Sequence, residues 1–298
     1  MDKSSAISNQ NTNSEKLFSD DNTQRQEFNP IGIFDSGYGG LTILDKIRTQ
    51  LPEYDYIYFG DNARTPYGTR SFEVVYKYTL ECVTKLFEMG CHLVILACNT
   101  ASAKALRTIQ QQDLPRIAPD RRVLGVIRPT VEKVGTISKT RHIGLLATPG
   151  TVQSDSYPLE INKLYDDILV SSEACPMWVP LIENNEHNSE GAQYFIRKNL
   201  INLMQADPQI DTVMLGCTHY PLIEDKIKEI LPSNIQVLSQ GEIIAESLVD
   251  YLKRHPEIDQ NCSKNSKINY FTTESVEKFS SSASTFLNEE IIAEHIDL

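Results

Sequence analysis

The chain has 298 residues, 40% of them hydrophobic, with a formal net charge of -12 from 40 acidic and 28 basic residues. That apolar content suffices for one large domain or two ordinary ones and excludes a wholly disordered chain. The apolar run at 93–98 is far shorter than the roughly 20 residues a bilayer span needs, and no basic cluster interleaved with aromatics marks nucleic acid as a main partner.

In chain order, residues 1–29 are rich in Asn, Ser, Gln and Asp and lack a basic start followed by an apolar stretch, which predicts a disordered tail and not a secretory leader. Residues 30–34 read as a short strand running into the glycine turn 35–40, and Leu41, Leu44, Ile47 and Leu51 carry helical periodicity. A strand at 54–59, a polar loop at 60–70, a helix at 72–89 and a strand at 93–97 follow. The pattern then restarts. Ile143-Gly-Leu-Leu146 runs into Ala147-Thr-Pro-Gly150 much as Ile31-Gly-Ile-Phe34 runs into Asp35-Ser-Gly37, and Thr212-Val-Met-Leu-Gly-Cys217 echoes Leu93-Val-Ile-Leu-Ala-Cys98 at a similar separation. Residues 241–254 read as a helix, 267–273 as a strand and 279–292 as a closing helix. The fold expectation is α/β: two pseudo-symmetric doubly wound domains with mostly parallel sheets and a cleft between them. The first domain takes 30–121 plus 240–298 and the second 122–239, with boundaries near Arg121 and Ser239.

The six cysteines, Cys82, Cys91, Cys98, Cys175, Cys217 and Cys262, are scattered through a long chain, which favours reduced thiols in the cytoplasm over a disulfide framework. No CxxC or CxxxC pair supports a zinc site. Taken singly, Cys98 and Cys217 read equally well as inert buried thiols at strand ends. As a pair they read differently. Ligands of open α/β sheets bind beyond the carboxyl ends of the strands, and Asp35-Ser36, Cys98-Asn99-Thr100 and Cys217-Thr218-His219 all fall there. Two thiols at equivalent ends of facing domains suit inversion of a stereocentre, which needs a base on one face and an acid on the other. A helix start after each cysteine would offer N–H groups that favour thiolate. The turn 35–40 lacks the G-x-G-x-x-G spacing of a dinucleotide site, and Arg64 and Arg70 read as structural ion-pair partners.

Four ordered motifs, Phe34-Asp-Ser-Gly-x-Gly-Gly-Leu-Thr42, Gly60-Asp-x-Ala-Arg-x-Pro-Tyr-Gly-Thr-Arg-Ser71, Ala97-Cys-Asn-Thr-Ala-Ser102 and Gly216-Cys-Thr-His-Tyr-Pro221, resemble glutamate racemases over about residues 30 to 290. The resemblance implies interconversion of L- and D-glutamate without pyridoxal phosphate, metal or nucleotide, and D-glutamate for cytoplasmic steps of peptidoglycan synthesis. It makes Cys98 and Cys217 the acid/base pair, acting on the D- and L-enantiomers respectively. It places Asp35, Ser36, Tyr67, Gly68, Asn99, Thr100, Thr218 and His219 around the substrate, with His219 and Glu183 assisting Cys217 and Asp35 assisting Cys98. For Glu183 a solvated acid at a helix start is an equal reading. A homodimer is compatible with the resemblance, and no membrane or nucleic-acid partner is implied.

Three positions depart from the family's pattern: Tyr38 in the glycine turn, Arg128 in Gly125-Val-Ile-Arg-Pro129, and Ser239-Gln-Gly241. None removes a catalytic thiol. The rival readings are an aspartate racemase with the same two-thiol chemistry, a Cys217–His219 hydrolase that leaves Cys98 without a task, and a non-catalytic relative that binds or regulates a partner such as a DNA topoisomerase.

Overall fold

The computed structural model describes residues 28–298. The tail expected at 1–29 lies outside the described residues but for its last two positions. Asn29 is part of the first lobe: its N–H donates to Ser263 Oγ at 3.1 Å, and its carbonyl accepts from the Ser263 N–H at 2.9 Å. Among the described residues no helix is long and apolar enough to cross a membrane.

The strands are β1 (Ile31–Asp35), β2 (Tyr56–Gly60), β3 (Leu93–Leu96), β4 (Arg122–Gly125), β5 (His142–Ala147), β6 (Leu169–Ala174), β7 (Thr212–Gly216), β8 (Gln236–Leu238), β9 (Ile268–Thr272) and β10 (Ala293–His295). They form two sheets, ordered β10-β9-β2-β1-β3-β4 and β6-β5-β7-β8, and every pairing is parallel. The run β2-β1-β3-β4 and the whole second sheet share one strand order, which is the duplication audible in the sequence. Parallel strands need crossovers, and the crossover helices cover both faces. The central strands are therefore covered on both sides: β1, β2, β3 and β7 are buried at every position.

In the first lobe one face packs against Leu41–Gln50 and Gly241–Arg254, through Leu44, Ile47, Ile244 and Leu248; the other packs against Phe72–Glu88, through Val75, Val83 and Leu86. Each such side chain contributes about 1.5–3 kcal/mol by leaving water. Ser71 caps Phe72–Glu88 by accepting from the Val74 N–H. Arg64 pairs with Asp61 at 2.6 Å and with Glu81, pinning the loop at 60–70, which carries short 3-10 turns at Asn62–Arg64 and Tyr67–Thr69, onto that helix.

Two expectations are corrected. The boundary near Arg121 assigns β4 to the second domain, yet β4 pairs with β3 (Val94 with Val123), so the lobes divide after Gly125. The closing helix is Val276–Leu287, not 279–292: Ser275 caps it by accepting from the Lys278 N–H, and Asn288 stops it in the left-handed conformation at φ 54°. The chain freed beyond Asn288 then adds β10 beside β9.

Candidate active site

In each lobe the first strand sends its connections to opposite sides, so a switch point opens between β1 and β3 and again between β5 and β7. Asp35 ends β1 and Cys98 follows β3; Thr148 follows β5 and Cys217 follows β7. The two switch points face one narrow cavity of about 60 Å³, lined by Ser36, Tyr67, Gly68, Cys98, Asn99 and Thr100 from the first lobe and by Thr148, Cys175, Cys217, Thr218 and His219 from the second. Both thiols reach it and are only 6% exposed. A larger groove of about 740 Å³ elsewhere between the lobes contains none of the residues singled out in the sequence as site residues, and three of its cations, Arg107, Arg128 and Lys163, are answered by Glu160.

The Cys98 wall is built at a helix start. Cys98 caps Asn99–Lys104, and its Sγ accepts from the Ala101 N–H at 3.5 Å. Ser36 Oγ lies 3.4 Å from the sulfur. Burial pushes the thiol up to about 12; the nearby Asp35 charge acts in the same direction, while the Ser36 and Ala101 hydrogen bonds oppose it. Burial likewise raises the Asp35 carboxyl, against the lowering influence of His219 and of the Gly37 and Gly40 N–H groups. At neutral pH Cys98 is a thiol.

The Cys217 wall is built differently. Cys217 is followed by the 3-10 turn Tyr220–Ile223, so the helix start anticipated there is absent. His219 Nδ1 lies 3.8 Å from Cys217 Sγ, and His219 Nε2 lies 2.9 Å from Glu183 Oε1. Burial alone would depress the imidazole, but the hydrogen bonds and charges of Cys217 and Glu183 outweigh it and hold His219 well above the ordinary histidine range. Glu183 closes the helix Trp178–Glu183 and does not start it. A carboxylate at a helix C-terminus is electrostatically disfavoured, and the His219 cation offsets that. Thr218 joins the walls, its Oγ1 donating to Asp35 Oδ1 at 3.5 Å.

The remaining predicted residues divide. Thr100 Oγ1 lies 3.0 Å from Thr148 Oγ1 and 3.3 Å from Thr151 Oγ1, a cluster of three hydroxyls spanning the lobes. Asn99 donates through Nδ2 to Gln240 Oε1 at 2.6 Å and accepts at Oδ1 from the Tyr157 hydroxyl at 2.6 Å. The Tyr67 phenol is committed to Asp61, so Tyr67 offers the cavity its ring and not its hydroxyl. Sequence reasoning passed over Thr148, Thr151, Tyr157 and Gln240. The echo of Asp35-Ser-Gly37 in Ala147-Thr-Pro-Gly150 carried the signal for Thr148, and the departure at Ser239-Gln-Gly241 carried one for Gln240; Tyr157 had none, because its partners lie 58 and 83 residues away.

Residues 31–248 match the family model described as Asp/Glu/hydantoin racemase. A glutamate racemase from Ruegeria sp. (strain TM1040) is 40% identical over 274 residues, covering 89% of this chain and 98% of its own. Among solved structures, a glutamate racemase isoform from Bacillus anthracis superimposes with a TM-score of 0.82 at 34% identity, over 91% of this chain and 98% of that one. A glutamate racemase from Francisella tularensis, solved with D-glutamate, gives 0.80 at 32% identity, over 90% and 97%.

Proposed function

Given that the chain belongs to the Asp/Glu/hydantoin racemase family, we propose that it interconverts L- and D-glutamate by two-base proton transfer between Cys98 and Cys217. The observation that carries the reading is the pair of thiols, one from each lobe, lining a single buried cavity. In the L-to-D direction Cys217 Sγ, as thiolate, takes the α-proton, and the C–H electron pair passes into the α-carboxylate as an enediolate. The Cys98 thiol delivers its proton to the opposite face of the carbon. The product leaves a thiol at 217 and a thiolate at 98, and the D-to-L direction runs the same steps backwards.

The walls are matched to those tasks. His219, held cationic by Glu183, is the counterion for a Cys217 thiolate, while Cys98 keeps its proton. Asp35 and Ser36 on one side, and His219 with Glu183 on the other, are the groups that return protons between turnovers. Asn99, Thr100, Thr148 and Thr218 supply donors for the substrate carboxylates. The product suits D-glutamate supply for peptidoglycan in the cytoplasm.

The test follows L-glutamate by circular dichroism with purified protein in deuterated solvent. The wild type racemises it and incorporates deuterium at the α-carbon faster than it does with aspartate. Cys98→Ser and Cys217→Ser each lose racemisation by at least about a hundredfold, the scale of one acid/base group, while remaining folded. Wild-type turnover in either variant overturns the two-thiol mechanism, and faster exchange with aspartate overturns the substrate.

A further inference from the structure

We propose that Gln240 is a positioning residue which, with Tyr157, fixes the orientation of the Asn99 amide in the cleft. This rests on the reading that Asn99 meets the substrate. Asn99, Gln240 and Tyr157 close a ring of hydrogen bonds: Asn99 Nδ2 donates to Gln240 Oε1 at 2.6 Å, Gln240 Nε2 to the Tyr157 oxygen at 2.7 Å, and the Tyr157 hydroxyl to Asn99 Oδ1 at 2.6 Å. All three residues are buried.

The direction of the ring is set from outside it. The Thr130 hydroxyl spends its hydrogen on the Val126 carbonyl at 2.7 Å, so its oxygen accepts from Gln240 Nε2 at 2.8 Å. The amide nitrogen of Gln240 is thereby forced toward Thr130 and Tyr157, and its oxygen toward Asn99. Tyr157, already accepting, must donate to Asn99 Oδ1. Asn99 cannot flip without breaking two buried bonds, and one Nδ2 hydrogen remains outside the ring.

The ring also lies where the polypeptide changes lobes. Thr130 belongs to Ile127–Ile137, the outgoing crossover; Gln240 immediately precedes Gly241–Arg254, the returning one; Tyr157 lies in the second lobe and Asn99 beside the first thiol. Gln240 ties both crossings to an amide in the cleft, so the relative placement of the lobes and the aim of Asn99 are set together. The unusual Ser239-Gln-Gly241 thus has a task of its own.

Two variants and two readouts test this. Gln240→Ala removes the clamp, and Tyr157→Phe deletes one bond of the ring while keeping the apolar packing. Each is expected to raise the KM for glutamate about tenfold, the worth of one oriented hydrogen bond, with kcat changed less than threefold. Combining Gln240→Ala with Asn99→Ala is expected to add nothing to Asn99→Ala alone. In nuclear magnetic resonance spectra the Asn99 side-chain amide, assigned from its loss in Asn99→Ala, is expected to lose its slow hydrogen exchange in both clamp variants. A KM unchanged in both variants, additive losses in the double variant, or an Asn99 amide still protected in Gln240→Ala overturns the proposal. A wild-type protein inactive on glutamate would sink the proposed function instead, and the amide exchange would still decide the role of Gln240.

Discussion

At the scale of single residues the two walls of the cleft solve one problem by different means. Cys98 is buried beside a carboxyl and a hydroxyl and keeps its proton; Cys217 is paired with an imidazole that a second carboxylate holds positive. Cys217 and Glu183 together raise His219, and Glu183→Gln removes the second of these, so the imidazolium is lost at a lower pH and the alkaline limb of the kcat profile moves acidward. We expect a fall of about ten- to a hundredfold in kcat at pH 8, read from a pH–rate series. The same substitution bears on stability. Because the folded pKa of His219 lies above its unfolded value, its protonation stabilises the fold fully below the ordinary histidine range and progressively less as pH rises through the folded value. The stability gap between Glu183→Gln and wild type is therefore wider at pH 6 than at alkaline pH, which urea titration measures. The thiols, Thr218 and His219 were legible because each thiol is followed by polar groups that suit no dry core. The partnership of Glu183 with His219 was not legible in spacing, since 36 residues and a lobe's packing separate them.

At the scale of elements, the glycine turn after β1 depends on close approach. A β-carbon on Gly39 would overlap His219 Nδ1 and Thr218 Oγ1, and one on Gly40 would lie 2.6 Å from the Asp35 Cβ. Gly39→Ala must displace either the turn or the Cys217–His219 segment. The expected outcome is a loss of about 1–3 kcal/mol in thermal denaturation and a marked fall in turnover. Elements with strong local signals were legible: β1, β3 and Gly241–Arg254 follow from apolar runs and helical periodicity. β4 and β10 were not. β4 has four residues that begin with Arg and are buried only at Val123, and β10 has three, two of them exposed. The closing helix was misplaced because its Ser-rich middle dilutes the periodicity, and because Asn288 is an ordinary residue in sequence that stops a helix only through its backbone.

At the scale of the whole molecule, repetition does the positioning. One strand order used twice brings two switch points face to face, and a cavity built from both lobes links their stabilities. D-Glutamate that binds only when both lobes are folded and apposed must stabilise them together. At a hundred times its dissociation constant the gain is about 2.7 kcal/mol, expected as a rise of several degrees in a single unfolding transition that is absent with D-alanine. Scanning calorimetry checks it. Duplication was the feature of the whole chain most legible in the sequence. The point where the lobes divide was less so, because a short strand's sheet is chosen by its neighbours.

The rim of the cavity brings Gly68 and Gly150 together. A β-carbon on Gly68 would stand 2.8 Å from the Thr148 Cβ, and one on Gly150 would stand 2.8 Å from the Gly68 carbonyl. The margin is thus close-set, Gly68 lying against the Thr148 side chain and Gly150 against the Gly68 backbone and the Lys104 side chain. Even a methyl group at either glycine would act as a doorstop, leaving the reacting carbon wet.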